Sequence, residues 1–286
     1  MGNPFTDLDR PPLREVDLAR ALVVPDGFWT RLQVRAETGS TNADVAAAAA
    51  AGAGEGLVIA AERQTAGRGR VGRQWRSPAR AGLAVSVLLR PADPDPDRGW
   101  DPVGVSRYGW LPLLAGVALA GSVARLGEVD AALKWPNDLL VGGRKCGGIL
   151  AEVVAESAVV VGIGLNVTLR EGELPQPDAT SLRIAGAACT DRDPLLRALL
   201  RTIAGWYARW RDAGGDPDTS GLAEAYRARC DTLGREVMVT VPAGDPVSGR
   251  ATTVDGDGRL VIGTAGGVRT VAAGDVVHVR PTMGGA

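Results

Sequence analysis

Three apolar runs between residues 131 and 169, "AALKWPNDLLV", "RKCGGILAEVV" and "SAVVVGIGLNVTL", follow one another with no room for a helix between them. Parallel neighbours need a crossover of about a dozen residues or more. The spacing therefore predicts three strands in an antiparallel meander, not a βαβ winding. Upstream the pattern alternates. "LQVRAE", "GLVIAAERQ" and "GLAVSVLLR" read as strands, and "LREVDLARAL" as a short helix. "GSTNADVAAAAAAG" reads as a turn leading into a helix, with Thr41 and Asp44 at capping-box spacing. "YGWLPLLAGVALAGSVARLG" reads as a buried helix, and the proline-rich "PADPDPDRGWDP" before it as a mobile loop. Two more helices follow the meander, in "DPLLRALLRTIAGWYARWRDAG" and "GLAEAYRARCDTLG".

After Gly234 the texture changes. "REVMVTVP", "VSGRATTVDGDGRLVIGT" and "VRTVAAGDVVHVR" are short strand-like runs with a Gly-Asp-Gly turn, which predicts a small all-β barrel. The expected organisation is an α/β domain with a mixed sheet and helices over residues 31–231, an N-terminal extension over 1–30, and an all-β unit over 232–286. Residues 1–30 offer one short helical candidate, whereas a winged-helix DNA-binding domain needs two or three. No signal peptide or membrane span of roughly 18 to 20 apolar residues is read here, so the cytoplasm is the expected compartment.

The chain has one histidine, His278, and three cysteines, Cys146, Cys189 and Cys230, without paired spacing. A lone histidine at a strand position is more often structural, so Ser-His-Asp catalysis and two-histidine metal sites are nearly excluded. The thiols read as reduced. A formal net charge of -1 provides no global basic field for nucleic acid or anionic lipid, so any basic site must be local. Chemistry then falls to lysine, arginine, carboxylates and backbone groups. Lysine is scarce: Lys134 and Lys145 are the only two among 32 Lys plus Arg.

"QTAGRGRVGRQW", residues 64–75, interleaves Gly67, Gly69 and Gly72 with Arg68, Arg70 and Arg73. Glycines permit close backbone approach, and guanidinium forks suit phosphate or carboxylate. The Gly-Lys-Ser/Thr ending of a Walker loop is missing. Gly67, Gly69 and Gly72 do match the letters of a dinucleotide fingerprint, but three arginines and no acidic partner on a second strand speak against it. Two readings stay open from the residues alone: a solvated RGG-like loop, or an anion-binding loop that orders over a phosphate-bearing ligand.

"GSTN" (39–42), "QTAGRGRVGRQW" (64–75), "KWPNDLL" (134–140), "KCGGILAE" (145–152) and "GIGLNV" (162–167) occur in the order found in biotin protein ligases, and from about residue 30 onward the chain resembles that family in its form without a DNA-binding domain. The resemblance implies a ligase domain followed by an SH3-like domain. It implies ATP-dependent activation of biotin to biotinyl-5′-AMP and transfer to a lysine of a biotin carboxyl carrier domain of acyl-CoA or pyruvate carboxylases. Lipoate or octanoyl transfer on the same scaffold and a biotin-responsive DNA regulator are the competing functions. Catalytic roles are implied for Lys145, Arg70 and Asp138. Biotin contacts are implied for Ser40, Thr41, Asn42, Gln64, Arg68, Gly69, Arg70, Lys145 and Gly147. ATP or adenylate contacts are implied for Arg68, Arg70, Arg73, Trp75, Lys134, Asn137, Lys145, Asn166 and Arg235. Mg²⁺ is implied as a partner of ATP, with Asp138 a candidate ligand. Expected besides are no specific DNA, no membrane, and a monomer or weak homodimer.

Overall fold

Every residue of the strand Leu57–Ala61 is buried, a pattern that requires cover on both faces of a sheet. Leu57 and Ile59 pack with Val45 and Ala49 of one helix, while Val58 and Ala60 face the larger core on the other side. The computed structural model describes residues 9–154, 158–241, 245–272 and 274–278; the outer ends of the expected extension and of the expected all-β unit, 1–8 and 279–286, lie outside them.

The large sheet has seven strands: β1 (Arg31–Arg35), β2 (Leu57–Ala61), β3 (Gly82–Leu89), β4 (Ala131–Lys134), β5 (Asp138–Val141), β6 (Arg144–Val153) and β7 (Val159–Asn166). Their order is β1-β2-β3-β7-β6-β5-β4. Only β1 and β2 are parallel, joined over one face by the helix Thr41–Ala50; every other pair is antiparallel. The run "AALKWPNDLLV" makes two strands, not the single one expected. Pro136 has no N–H to give a ladder, and the chain reverses at Trp135–Asn137 into a β4–β5 hairpin.

In chain order the helices are α1 (Glu15–Leu22), α2 (Thr41–Ala50), α3 (Trp110–Gly127), α4 (Arg192–Asp212) and α5 (Leu222–Arg227). Helix α3 with the turn before it is long and apolar enough to cross a membrane, but it lies across the sheet as core, with Leu111, Leu114, Ala118 and Val123 at most 1% exposed. The acidic proline loop before it is tied down. Trp100 is 5% exposed and donates to Asp212 of α4 at 2.7 Å, and Arg98 holds Asp95 at 2.6 Å.

The second sheet is antiparallel, with β8 (Glu236–Thr240), β9 (Val247–Val254), β10 (Leu260–Thr264), β11 (Gly267–Val271) and β12 (Asp275–His278) in the order β11-β10-β9-β8-β12. Its β9–β10 turn docks on the first unit. Trp110 Nε1 donates to Gly256 O at 3.0 Å and Trp135 Nε1 to Gly258 O at 3.1 Å. A Cβ on Gly109 would stand 2.2 Å from the Asp257 carbonyl oxygen, so only glycine admits this approach. His278, half-buried, sits 3.3 Å from Thr232 Oγ1. Burial and the nearby Lys134 charge lower its pKa, with Asp231 opposing and Arg235 adding.

Residues 9–30 share the core of the first unit through Leu13, Leu18, Leu22 and Trp29. A buried ion pair anchors them: Arg192 Nη1 lies 2.6 Å from Glu62 Oε2, while Arg192 Nη2 donates to Pro11 O at 2.5 Å and Leu13 N donates to Glu62 Oε1 at 2.6 Å. Removing one partner of such a pair strands the other charge. Glu62→Ala should therefore cost about 3–5 kcal/mol of stability, read by urea unfolding.

Candidate active site

The site lies where α2, the arginine loop and strands β3, β7 and β6 meet. Two glycines of "GIGLN" make its floor. A Cβ on Gly162 would stand 1.9 Å from Asn42 Oδ1, and one on Gly164 would stand 2.4 Å from the Trp75 ring. Both side chains lie against β7, which leaves no room for even a methyl group.

The start of α2 is built unusually. Its N-cap is Ser40, whose side chain makes no capping bond. The expected Thr41–Asp44 capping box does not form, because both partners are committed elsewhere. Thr41 N donates to Gln64 Oε1 at 2.8 Å, with Thr41 Oγ1 at 3.1 Å from the same oxygen, and Asp44 accepts from Thr38 Oγ1 at 2.6 Å. A side chain from the loop thus satisfies a free N–H of the helix start. The Ser40 hydroxyl is left at the cavity wall.

Cations crowd the mouth, and most are already paired. Lys145 Nζ lies 2.6 Å from Asp138 Oδ1, and Arg68 Nη2 lies 3.1 Å from Glu152 Oε2. Arg73 pairs with Asp275 of β12, across the junction of the two sheets. Arg70 differs: its Nη1 meets Asn137 Oδ1 at 3.3 Å and Gly274 O at 3.4 Å, with no carboxylate partner among the described residues. Burial depresses its pKa from the ordinary guanidinium value; Asp138 opposes that and Arg73 adds to it. A guanidinium stays charged regardless. Among the described residues, the fold thus holds a half-buried cation with no carboxylate paired to it.

The backbone of Lys145 is fixed by the loop after β7. Lys145 N donates to Asp178 O at 2.9 Å, and Thr180 N to Lys145 O at 2.8 Å. Asn166, 1% exposed, donates to Thr180 O at 3.0 Å, but its Oδ1 is buried without a partner. An unmet buried acceptor at a cavity wall is costly unless a ligand donor meets it. Cys146 beside Lys145 is no reactive thiol, since burial pushes its pKa up to about 12.

The cavity gathers Ser40, Thr41, Asn42, Gln64, most of the loop from Arg68 to Trp75 (all but Val71 and Gly72), Asn137, Lys145 and Asn166. Asp138 reaches it through Lys145. Besides Asp138, three expected residues stand outside its lining. Gly147 faces the core, where a Cβ would meet Leu119 and Leu139 at 3.4 Å, and Gly148 takes the cavity position. Lys134 ends β4 opposite Asp138. Arg235 is turned to Asp231, whose carbonyl accepts from its Nε at 2.6 Å. The sequence reading missed Ser86 and Glu152, which bond Asn42 from either side. Ser86 carried a signal, as the one hydroxyl inside the apolar run of β3, and Glu152 closes a quoted motif.

A cavity lined by arginines and a lysine on a mixed sheet, with its loop tied to a small second β unit through Arg73 and Asp275, suits the class of ligases that activate a carboxylic acid. Residues 40–167 match the Biotin/lipoate A/B protein ligase family and residues 232–279 the Biotin protein ligase C terminal domain. The chain is 47% identical to the biotin--[acetyl-CoA-carboxylase] ligase of Mycobacterium tuberculosis, over 96% of this chain and 100% of that protein. It is 29% identical to the bifunctional ligase/repressor BirA of Escherichia coli, over 76% of this chain and 64% of the relative. Its fold matches a biotin protein ligase from Aquifex aeolicus, solved in complex with biotin and ATP, with a TM-score of 0.68 at 26% identity, covering 88% of this chain and 100% of that one. The chain belongs to the biotin protein ligase family.

The Arg73–Asp275 pair ties the loop to β12. Asp275→Asn should speed tryptic cleavage within residues 68–76 several-fold in the ligand-free protein, and an unchanged cleavage rate would show that this pair does not hold the loop.

Proposed function

We propose that this chain joins biotin to ATP as biotinyl-5′-adenylate and passes the biotinyl group to one lysine of a biotin carboxyl carrier domain. The observation that carries the reading is the pairing of Lys145 with Asp138 opposite the carboxylate-free Arg70, in one cavity. In the first step a carboxylate oxygen of biotin attacks the α-phosphorus, and the bond to the β-phosphate breaks to release pyrophosphate. Two anions must meet, so cations placed beforehand lower the barrier. Lys145 is assigned the place between carboxylate and α-phosphate, with Asp138 holding its ammonium. Arg70 retains the adenylate, with Arg68 and Arg73 adding charge at the mouth. In the second step the acceptor amine attacks the anhydride carbonyl and AMP leaves. The loop and Trp75 exclude water from the anhydride in between.

Ser40 and the Gln64 amide supply polar contacts to the ureido ring, and Asn166 Oδ1 accepts from the adenosine. Among the described residues no three His, Cys, Asp or Glu side chains cluster as a metal cage. Mg²⁺ commonly takes one or two carboxylates together with substrate phosphates and water. Asp138 fits that donor set beside ATP, where the ion would offset phosphate charge. Acyl-CoA and pyruvate carboxylases carry the acceptor domain, and we place the reaction in the cytoplasm, with the enzyme a monomer or weak homodimer.

With ATP and a carrier domain, labelled biotin should become covalently attached; transfer of lipoate instead would overturn the substrate assignment. Lys145→Arg should lose adenylate formation about a hundredfold or more while the fold is kept. Near-normal adenylation would remove Lys145 from the step. Arg70→Gly should release adenylate and label lysines of a bystander protein, whereas labelling confined to the carrier would contradict its role.

A further inference from the structure

We infer that Glu152 is a positioning residue that sets the biotin-side turn and the arginine loop as one unit. The inference rests on the reaction proposed above. Gly148 and Leu150 line the cavity, and alternation along β6 places Glu152 on their face. Its Oε2 accepts from two directions, from Asn42 Nδ2 at 2.7 Å and from Arg68 Nη2 at 3.1 Å.

What Glu152 does to Asn42 is specific. Asn42 is 5% exposed, and both hydrogens of its amide are spent, one on Glu152 and one on Leu150 O at 3.2 Å. Its Oδ1 lies 2.6 Å from Ser86 Oγ. Turning the amide over would set an oxygen against a carboxylate and a carbonyl, so the orientation is locked. Asn42, which also lines the cavity, is thereby a bracket under the turn.

From Ser86 the bonding continues. The Ser86 hydrogen goes to Asn42 Oδ1, so the Thr41 hydroxyl supplies the 2.7 Å bond to Ser86 Oγ, and Thr41 N–H donates to Gln64 Oε1 at 2.8 Å. Gln64 opens the loop to which Arg68 belongs. These contacts, with the loop backbone from residue 64 to 68, thus close a circuit: Gln64, Thr41, Ser86, Asn42, Glu152, Arg68. Glu152 is the carboxylate of that circuit and the link that crosses from β6 to the loop. It also holds the Arg68 charge at the cavity edge before a ligand anion arrives. Such a device changes how well biotin is gripped, and leaves the reacting atoms to Lys145 and Arg70.

The test is biotin-dependent exchange of labelled pyrophosphate into ATP, with the full chain. Glu152→Ala, which removes both contacts, should raise KM for biotin about tenfold or more. Glu152→Gln, which keeps an acceptor for Asn42 and loses only the charge, should raise it less. In both, kcat and KM for ATP should stay within about twofold, and Glu152→Gln should add little to Arg68→Gln because they share one contact. Exchange by the unaltered chain with an unmoved biotin KM in Glu152→Ala would overturn the inference alone. A fall of kcat and Tm together with a rise of both KM values would also overturn it, as a purely structural role. Fully multiplying effects of Glu152→Gln and Arg68→Gln would do the same. No exchange by the unaltered chain would overturn the proposed reaction and this inference with it.

Discussion

Positive charge gathered for two anionic substrates has to be stable before they arrive. Three arginines within six residues, facing a lysine, would repel one another across a partly dry cavity. Carboxylates of the chain itself neutralise them, and each comes from a different strand: Asp138 at the start of β5, Glu152 in β6 and Asp275 at the start of β12. The site therefore depends on both sheets being folded and docked, because the third carboxylate belongs to the small one. Arg70 is the exception, held by an amide and a backbone carbonyl only. A cation so placed favours whatever anion enters over the groups already there.

The same economy explains the glycines. Room for a ligand on a sheet face comes from removing side chains from the strand, and Gly162 and Gly164 remove two in succession on one face of β7. The space is partly refilled by Asn42 and Trp75, which come from outside the strand and are held by hydrogen bonds or by the loop. A floor made this way is adjustable at Trp75, whose loop lies at the surface, and rigid at Asn42, whose amide is fully bonded.

Much of this was legible in the residues. The meander, the long core helix, the β-unit after Gly234 and the glycine-arginine loop all carry local patterns that packing had no reason to override. What was not legible depended on register. Strict alternation from Lys145 puts Gly147 in the cavity, yet β5 and β6 shift register between Leu139 and Leu140. Cys146 and Gly147 then both turn to the core, and Gly148 faces the site. The split at Pro136 was written in the sequence but outweighed by the apolar residues around it. Ser86 and Glu152 were missed because their importance lies in partners far along the chain, and a single strand does not announce what stands across from it.

The register shift also bears on why this arginine-rich chain keeps a lysine at 145. On the site side of the bulge the Lys145 stem lies alongside Gly148, where a Cβ would stand 3.8 Å from its Cε, and its ammonium reaches a single oxygen of Asp138. A guanidinium there would present a planar fork and seek both carboxylate oxygens. That bidentate pair would be stronger and would keep the charge on Asp138 when a phosphate arrives. The ammonium, holding one oxygen, has two further hydrogens to direct at a carboxylate and a phosphate together. Lys134 has no such geometry: it ends β4 outside the cavity lining, and its charge is felt at His278. The family resemblance sets Lys145 apart from Lys134 in role, and of the two only Lys145 lines the cavity.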